Sequence, residues 1–370
     1  MVERRQVWDI PPIQPTVIEH VFLKFTCACG HETRVPVPGW ILSGAGEGLQ
    51  ALMAYLTGVA KLSRRMVQQV LDEVFHVRLG LGTVQNRLQD TSHALAPVCD
   101  ELQEALAQEP VLNIDETSYP HNRRLDWLWA FVSESLRIVF FVIRASRGSK
   151  VLQEVLGERF DGIITCDRFS AYVKYQKDRA CGLVQYCWAH ILRQAKGLPD
   201  VLGCGSGQIF SRLVRQRVGA VFRVWHAFKQ GRMSRADLIA KAEVHMGLLK
   251  ALLEQNADSP SKPVRTFCEG QLDKWASLFT FVYHEGVGPT NNLAERTIRP
   301  CVVTRKISYC TRSAAGQVLR ARLLTVSQTC RLQDRNPLEF LVATIRARRE
   351  GLPAPSLLPQ DTQDEERTAA

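Results

Sequence analysis

The sequence predicts an α/β protein whose sheet-forming region is interrupted by a helical block, preceded by a helical, helix-turn-helix-like domain and a small N-terminal β module. Three observations predict it. β-rich runs follow one another from Val111 to Ala145, and strand and helix patterns then alternate to Leu198. After Leu198 the strand signal stops, and residues 208–255 carry apolar residues at helical spacing. Upstream, two helical stretches are joined by the short connection Val77-Arg78-Leu79-Gly80-Leu81-Gly82.

Residues 1–40 are rich in Pro and aromatic residues and carry Cys27-Ala-Cys29-Gly30-His31, which reads as a β-hairpin module. Residues 41–109 form the helical domain, with Ser63 as a helix N-cap and the second helix starting near Thr83. A second helix entered through a tight turn is where a helix-turn-helix reads base edges, which makes Thr83, Gln85, Asn86 and Arg87 candidate DNA contacts. A helical hairpin that only packs is the alternative. The α/β core is assigned to 110–198 and 286–330, the helical insertion to 199–285, a C-terminal helix to 331–352 and a disordered tail to 353–370.

With 370 residues, 45% of them hydrophobic, the chain can bury a large core and divide into more than one domain. No apolar run reaches the ~18–20 residues of a membrane span, so no membrane association and a cytoplasmic location are expected. Eleven scattered cysteines read as reduced, buried thiols. The formal charge of +10, with Arg296, Arg299, Arg305 and Lys306 close together, suits a polyanionic partner.

Asp115, in Asn113-Ile-Asp-Glu-Thr117, and Asp167, in Thr165-Cys-Asp-Arg-Phe169, each stand where an apolar strand stops. Carboxyl ends of adjacent strands are where open α/β sheets place their sites. Converging carboxylates suit phosphodiester chemistry, in which hard cations take oxygen ligands and the other positions go to water and substrate phosphate. Each Asp could equally cap a turn, and Glu295 could close a capping box from Asn292. Spacing alone does not separate these acids from Asp126, Asp161, Asp178 or Glu285.

The stretch Thr290-Asn-Asn-Leu-Ala-Glu-Arg-Thr-Ile-Arg-Pro300, followed by Arg305-Lys306, resembles the signature of the insertion-sequence-66 family of DDE transposases. Asn113–Thr117, Cys166–Tyr172 and Cys187-Trp-Ala-His190 resemble three further motifs in the same order. The resemblance implies a ribonuclease-H-like mixed-sheet core with a large helical insertion. It implies Asp115, Asp167 and Glu295 as catalytic, metal-binding acids served by Mg²⁺ or Mn²⁺. Arg296, Arg299, Arg305 and Lys306 become phosphate contacts, and Cys187, His190, Asn291 and Asn292 support the active site. Pro300 is expected to end the helix that carries Glu295.

Family members carry a zinc module with paired cysteines, whereas here only Cys27 and Cys29 match it, so no zinc is expected. The function implied is bacterial transposition. The protein would act on terminal inverted repeats and target DNA as a nucleoid-associated homo-oligomer, with accessory proteins of the element as further partners. Two other readings stay open: a DNA-binding protein derived from a transposase with an inactive core, and a nuclease without strand transfer.

Overall fold

The computed structural model describes residues 3–11, 13–178, 181–202, 205–307 and 311–359. The chain forms two compact units, residues 1–101 with 304–370, and residues 102–303. No described helix is long and apolar enough to cross a membrane.

In the first unit, β1 (Lys24–Thr26) and β2 (Glu32–Arg34) pair antiparallel as the expected hairpin. Cys27 and Cys29 are joined as a disulfide, which departs from the expectation of reduced thiols throughout. Cys99, Cys166, Cys187, Cys268, Cys301 and Cys330 are buried and outside any disulfide. Helices follow at Glu47–Gly58, Arg64–Glu73 and Leu81–Ala94. Ser63 caps the middle one, its hydroxyl accepting the Met66 N–H at 3.2 Å.

The C-terminal helices Ala314–Leu332 and Pro337–Glu350 fold back onto this N-terminal bundle, so they complete it and do not extend the sheet domain. One buried cation secures the return. The Arg349 guanidinium donates to the Ala45 carbonyl at 2.8 Å and to Gln50 at 2.7 Å, pairs with Glu47 at 3.3 Å, and lies 4.9 Å over the Trp40 ring. Helix contact is close: a Cβ on Gly58 would stand 2.9 Å from the Leu323 Cβ. The expected disordered tail begins later than residue 353. Leu357 is fully buried, Gln333 donates to its carbonyl at 2.6 Å, and Ser356 donates to Glu101 at 2.8 Å. The remainder of that tail, 360–370, lies outside the described residues.

The second unit is built on a five-stranded sheet of order β5-β4-β3-β6-β7, from β3 (Val111–His121), β4 (Arg124–Ser133), β5 (Ile138–Arg144), β6 (Phe160–Cys166) and β7 (Cys181–Tyr186). β4 runs antiparallel to β3 and β5, while β3, β6 and β7 run parallel. The meander β3-β4-β5 is dominated by aromatic and β-branched residues, and Trp129, Phe131 and Phe141 are almost wholly buried in it. This mixed sheet is compatible with a ribonuclease-H-like core.

The helical insertion, from Gly205–Lys229 through Arg235–Gln255 to Lys262–Asp273, returns to the sheet at Thr280–Tyr283. There it meets β7. Thr280 donates to the Val184 carbonyl at 2.8 Å, and the Gln185 side chain bridges the Leu278 carbonyl and the Phe281 N–H at 3.0 Å each. These bonds occupy groups at the sheet's edge that would otherwise need water.

The helix Asn292–Ile307 runs through Pro300, contrary to the expectation that proline ends it. Its buried residues Ala294, Thr297, Ile298, Cys301 and Thr304 recur at three- and four-residue spacing on both sides of the proline. Packing of that continuous face outweighs the roughly 3 kcal/mol that an interior proline costs.

β6 departs from regular pairing between Phe160 and Ile163, and a Cβ on the intervening Gly162 would sit 2.6 Å from the Glu109 carbonyl oxygen. Gly162→Ala is therefore expected to destabilise the protein by about 1–3 kcal/mol, read as a lower denaturant midpoint with unchanged slope.

Candidate active site

β3 is longer than its sequence suggests, because it continues past β6 as one arm of the hairpin with β4. Asp115 thus lies inside a strand instead of at its end, at the point where the parallel partner stops. The register pairs Asn113 with Thr165. Two residues further on, Asp115 comes level with Asp167, one residue past the end of β6. Asp167 also has the turn role weighed against catalysis: one carboxylate oxygen accepts the Phe169 N–H at 2.8 Å.

The third acid arrives from 180 residues downstream, and Asn291 brings it there. Asn291 is fully buried. Its amide donates to the Ile114 carbonyl at 2.7 Å, its side-chain oxygen accepts from Asn113 at 3.1 Å, and its backbone N–H meets the Cys187 sulfur at 3.1 Å. Asn291 is also where the helix starts, since its carbonyl accepts the Glu295 N–H at 3.1 Å. Glu295 consequently sits at the fourth position of the helix, one beyond the place a capping box requires. Asn291 faces β3, while Asn292, Arg296, Arg299 and Lys306 form the exposed stripe of the helix. Asn292, Glu295 and Arg299 line the same cleft, and Asn291 turns away from it toward β3. Arg305 and Lys306 occupy the last turn.

Asp115 and Glu295 line one cleft, and Asp167 stands near enough for its charge to act on Asp115. Burial, and then the negative charges of Glu116, Asp167 and Glu295, push the Asp115 carboxyl up to about 8. Several carboxylates around one partly buried carboxyl make an oxygen-rich, cation-seeking site, which suits Mg²⁺ or Mn²⁺. An open cleft of about 640 Å³ is lined by Asp115, Thr117, His190, Asn292, Glu295, Arg296 and Arg299 among others.

Glu116 was not singled out by the sequence, although it follows Asp115 directly. Strand alternation turns it toward Tyr172, whose hydroxyl donates to it at 2.5 Å, and Arg147, which pairs with it at 2.8 Å. Burial still pushes its carboxyl above the ordinary range, against the pull of those donors. Arg147 is itself stacked 4.4 Å from the Trp127 ring and 3.5 Å from that of Phe169. The next residue of the second motif, Arg168, donates to Gln271 and to the Gly270 carbonyl, both at 2.9 Å, tying that motif to the insertion.

Cys187 and His190 stand beside Glu295. One Glu295 oxygen lies 3.5 Å from His190 Nδ1 and 3.9 Å from Cys187 Sγ. His190 therefore borders the cleft; its Nδ1 is shielded from water and makes no hydrogen bond.

In the first unit, the four candidate base contacts are not presented alike. Arg87 is largely buried and pairs with Asp90 at 2.7 Å, and the Gln85 side-chain oxygen is enclosed. Thr83 is half-buried, and Asn86 is exposed. Packing of the helix against its neighbours, invisible in the local pattern, decides this.

Residues 43–318 match the model of the transposase IS66 family, and residues 2–30 match the zinc-finger binding domain of transposase IS66. The chain belongs to the IS66 transposase family. Two proteins of Sinorhizobium fredii are similar to it. Uncharacterized protein y4qI is 27% identical over 62% of this chain and 44% of its own length, and uncharacterized protein y4hP is 23% identical over 88% and 64%. The chain thus spans roughly half to two thirds of the relatives it matches. The zinc-finger match weighs against the expectation of no zinc. The residues as placed do not fit the metal, however: Cys27 and Cys29 are bonded to each other, and a zinc ion would need both as thiolates.

Two outcomes follow. Asn291→Ala leaves the Ile114 carbonyl and the Asn113 amide buried without their partner, at about 1–3 kcal/mol for each, so a clear loss of Tm is expected by calorimetry. The raised Asp115 carboxyl means that the folded protein holds a proton that the unfolded chain gives up near pH 4. Its contribution to stability therefore falls as pH rises from about 4 to about 8. Without divalent metal, Asp115→Asn should raise Tm relative to the parent, by an amount that grows between pH 5 and pH 8.

Proposed function

We propose that this chain is a DNA transposase of a bacterial insertion sequence, with Asp115, Asp167 and Glu295 as its catalytic, metal-holding carboxylates. In this reading it cuts phosphodiester bonds at the element's ends and joins the exposed 3′ ends to target DNA. The observation that carries it is the meeting of Asp115 and Glu295 in one cleft edged by Arg296 and Arg299, with Asp167 close enough for its charge to act on Asp115. The strand order, with β4 alone antiparallel, supports a ribonuclease-H-like core. Family membership supports the reaction class.

Asp115, Asp167 and Glu295 would hold Mg²⁺, or Mn²⁺ in its place. A bound pair of such ions supplies activation of the attacking oxygen and stabilisation of the leaving oxygen in one in-line displacement. The protein's own groups do the rest. The raised Asp115 carboxyl spares the site part of the repulsion of a full set of carboxylates. Asn291 fixes the turn from which Glu295 projects. Arg147 neutralises Glu116 beside the site. Arg296 and Arg299, one turn apart on the exposed stripe, bind backbone phosphates at the cleft, and Arg305 and Lys306 extend the positive charge along the same helix.

The exposed Asn86 of the helical unit is the best placed of its four candidates for a base edge. DNA ends and target DNA are the partners. Assembly as a homo-oligomer, accessory proteins of the element and a place at the nucleoid belong to the same reading.

Asp115→Asn, Asp167→Asn and Glu295→Gln are each expected to lower Mg²⁺-dependent cleavage of a labelled element end by at least about 10³-fold while retaining DNA affinity. Any variant that cleaves at the parent rate removes its acid from the site. Arg299→Ala should weaken binding to all sequences alike and reduce the slope of log K against log salt by about one unit; an unchanged slope returns Arg299 to an ordinary solvated charge.

A further inference from the structure

The cluster of Cys187, His190 and Glu295 has a donor set that hard-metal chemistry does not call for. Cys187 follows the last residue of β7 and precedes the helix Trp188–Leu202. His190 is in that helix's first turn, on the same side as Cys187. Glu295 comes from the Asn292–Ile307 helix, and the two helix starts are joined by the Trp188 N–H donating to the Pro289 carbonyl at 3.0 Å. One ligand atom from each residue lies within 4.8 Å of the other two.

Around a tetrahedral ion with bonds of about 2.0–2.3 Å, ligand atoms stand roughly 3.3–3.8 Å apart. The 3.5 Å and 3.9 Å separations from Glu295 are already near that. Those two separations need little adjustment to meet a common ion, and the Cys187–His190 pair lies within 4.8 Å. Two details point to a ligand. His190 Nδ1 is shielded from water and unsatisfied, aimed at Glu295 with no proton shared between them. The Cys187 sulfur, 3.9 Å from the same Glu295 oxygen, is held in place by the Asn291 N–H at 3.1 Å.

We propose that Cys187, His190 and Glu295 bind a thiophilic divalent cation of the zinc type, with a fourth position open to water. Thiolate and imidazole select such an ion over Mg²⁺, so this site differs in chemistry from the all-oxygen set of Asp115, Asp167 and Glu295. The two sets share Glu295. An ion held by Cys187 and His190 competes with the other acids for the Glu295 carboxylate. Zinc is thereby an inhibitor of Mg²⁺-dependent cleavage, a consequence that rests on the reading under Proposed function; the binding itself does not.

The test titrates Co²⁺ into the full chain under reducing conditions and reads the thiolate-to-cobalt absorption in the near ultraviolet. A band saturating near one equivalent and displaced by Zn²⁺ is expected. It should be lost in Cys187→Ser and weakened at least tenfold in His190→Ala, a half-buried position that tolerates truncation. It should persist in Asp115→Asn, in Asp167→Asn and in the double variant Cys27→Ser with Cys29→Ser. A band that survives Cys187→Ser and His190→Ala, or no band in a parent protein of native circular dichroism, overturns the site. A band without any Mg²⁺-dependent cleavage sinks the transposase reading and leaves this one standing. Cleavage with no band does the reverse.

Discussion

The hydrogen bonds of one buried asparagine hold the candidate site together. Asn291 joins the middle of β3, the sulfur that follows β7, and the start of the last helix of its unit, residues that the chain separates by more than a hundred positions. Nothing else described places Glu295 beside Asp115 so directly. A side-chain amide suits the task because it donates to one backbone carbonyl and accepts from a neighbouring amide at once. Burial makes those bonds directional and costly to lose.

What Asn291 brings together repels. Four carboxyl groups, Asp115, Glu116, Asp167 and Glu295, gather within electrostatic reach of one another, and the structure answers each differently. The Asp115 carboxyl is pushed up to about 8. Glu116 pairs with Arg147 and accepts from the Tyr172 phenol, which burial keeps well above its ordinary range. Asp167 takes a backbone N–H, and Glu295 stands against His190. A set of acids that merely capped turns would not need to be assembled at such expense, which is the physical reason for reading a cation site here.

Much of the architecture was legible in the sequence because it rests on local signals. The meander, the alternation after it, the helical interruption and the Ser63 cap all follow from periodicity and capping chemistry, and the motif resemblance selected Asp115, Asp167 and Glu295 among many acids. The departures come from tertiary context. β3 runs past Asp115 because β4 pairs with it there, and Pro300 stays helical because residues on both sides share one buried face. Arg87 turns inward to Asp90, and the C-terminal helices return to the first unit through Arg349. Cys187 and His190 were visible as a pair, but their third partner lies 105 residues beyond His190, a distance no local pattern spans.

Anomalous scattering from crystals soaked in Mn²⁺ tests most directly whether these carboxylates hold metal together. Two peaks about 3.5–4 Å apart, both in contact with Asp115 and flanked by Asp167 and Glu295, are the result expected. Manganese bound elsewhere, with Asp115, Asp167 and Glu295 left without a peak at saturating metal, would contradict it.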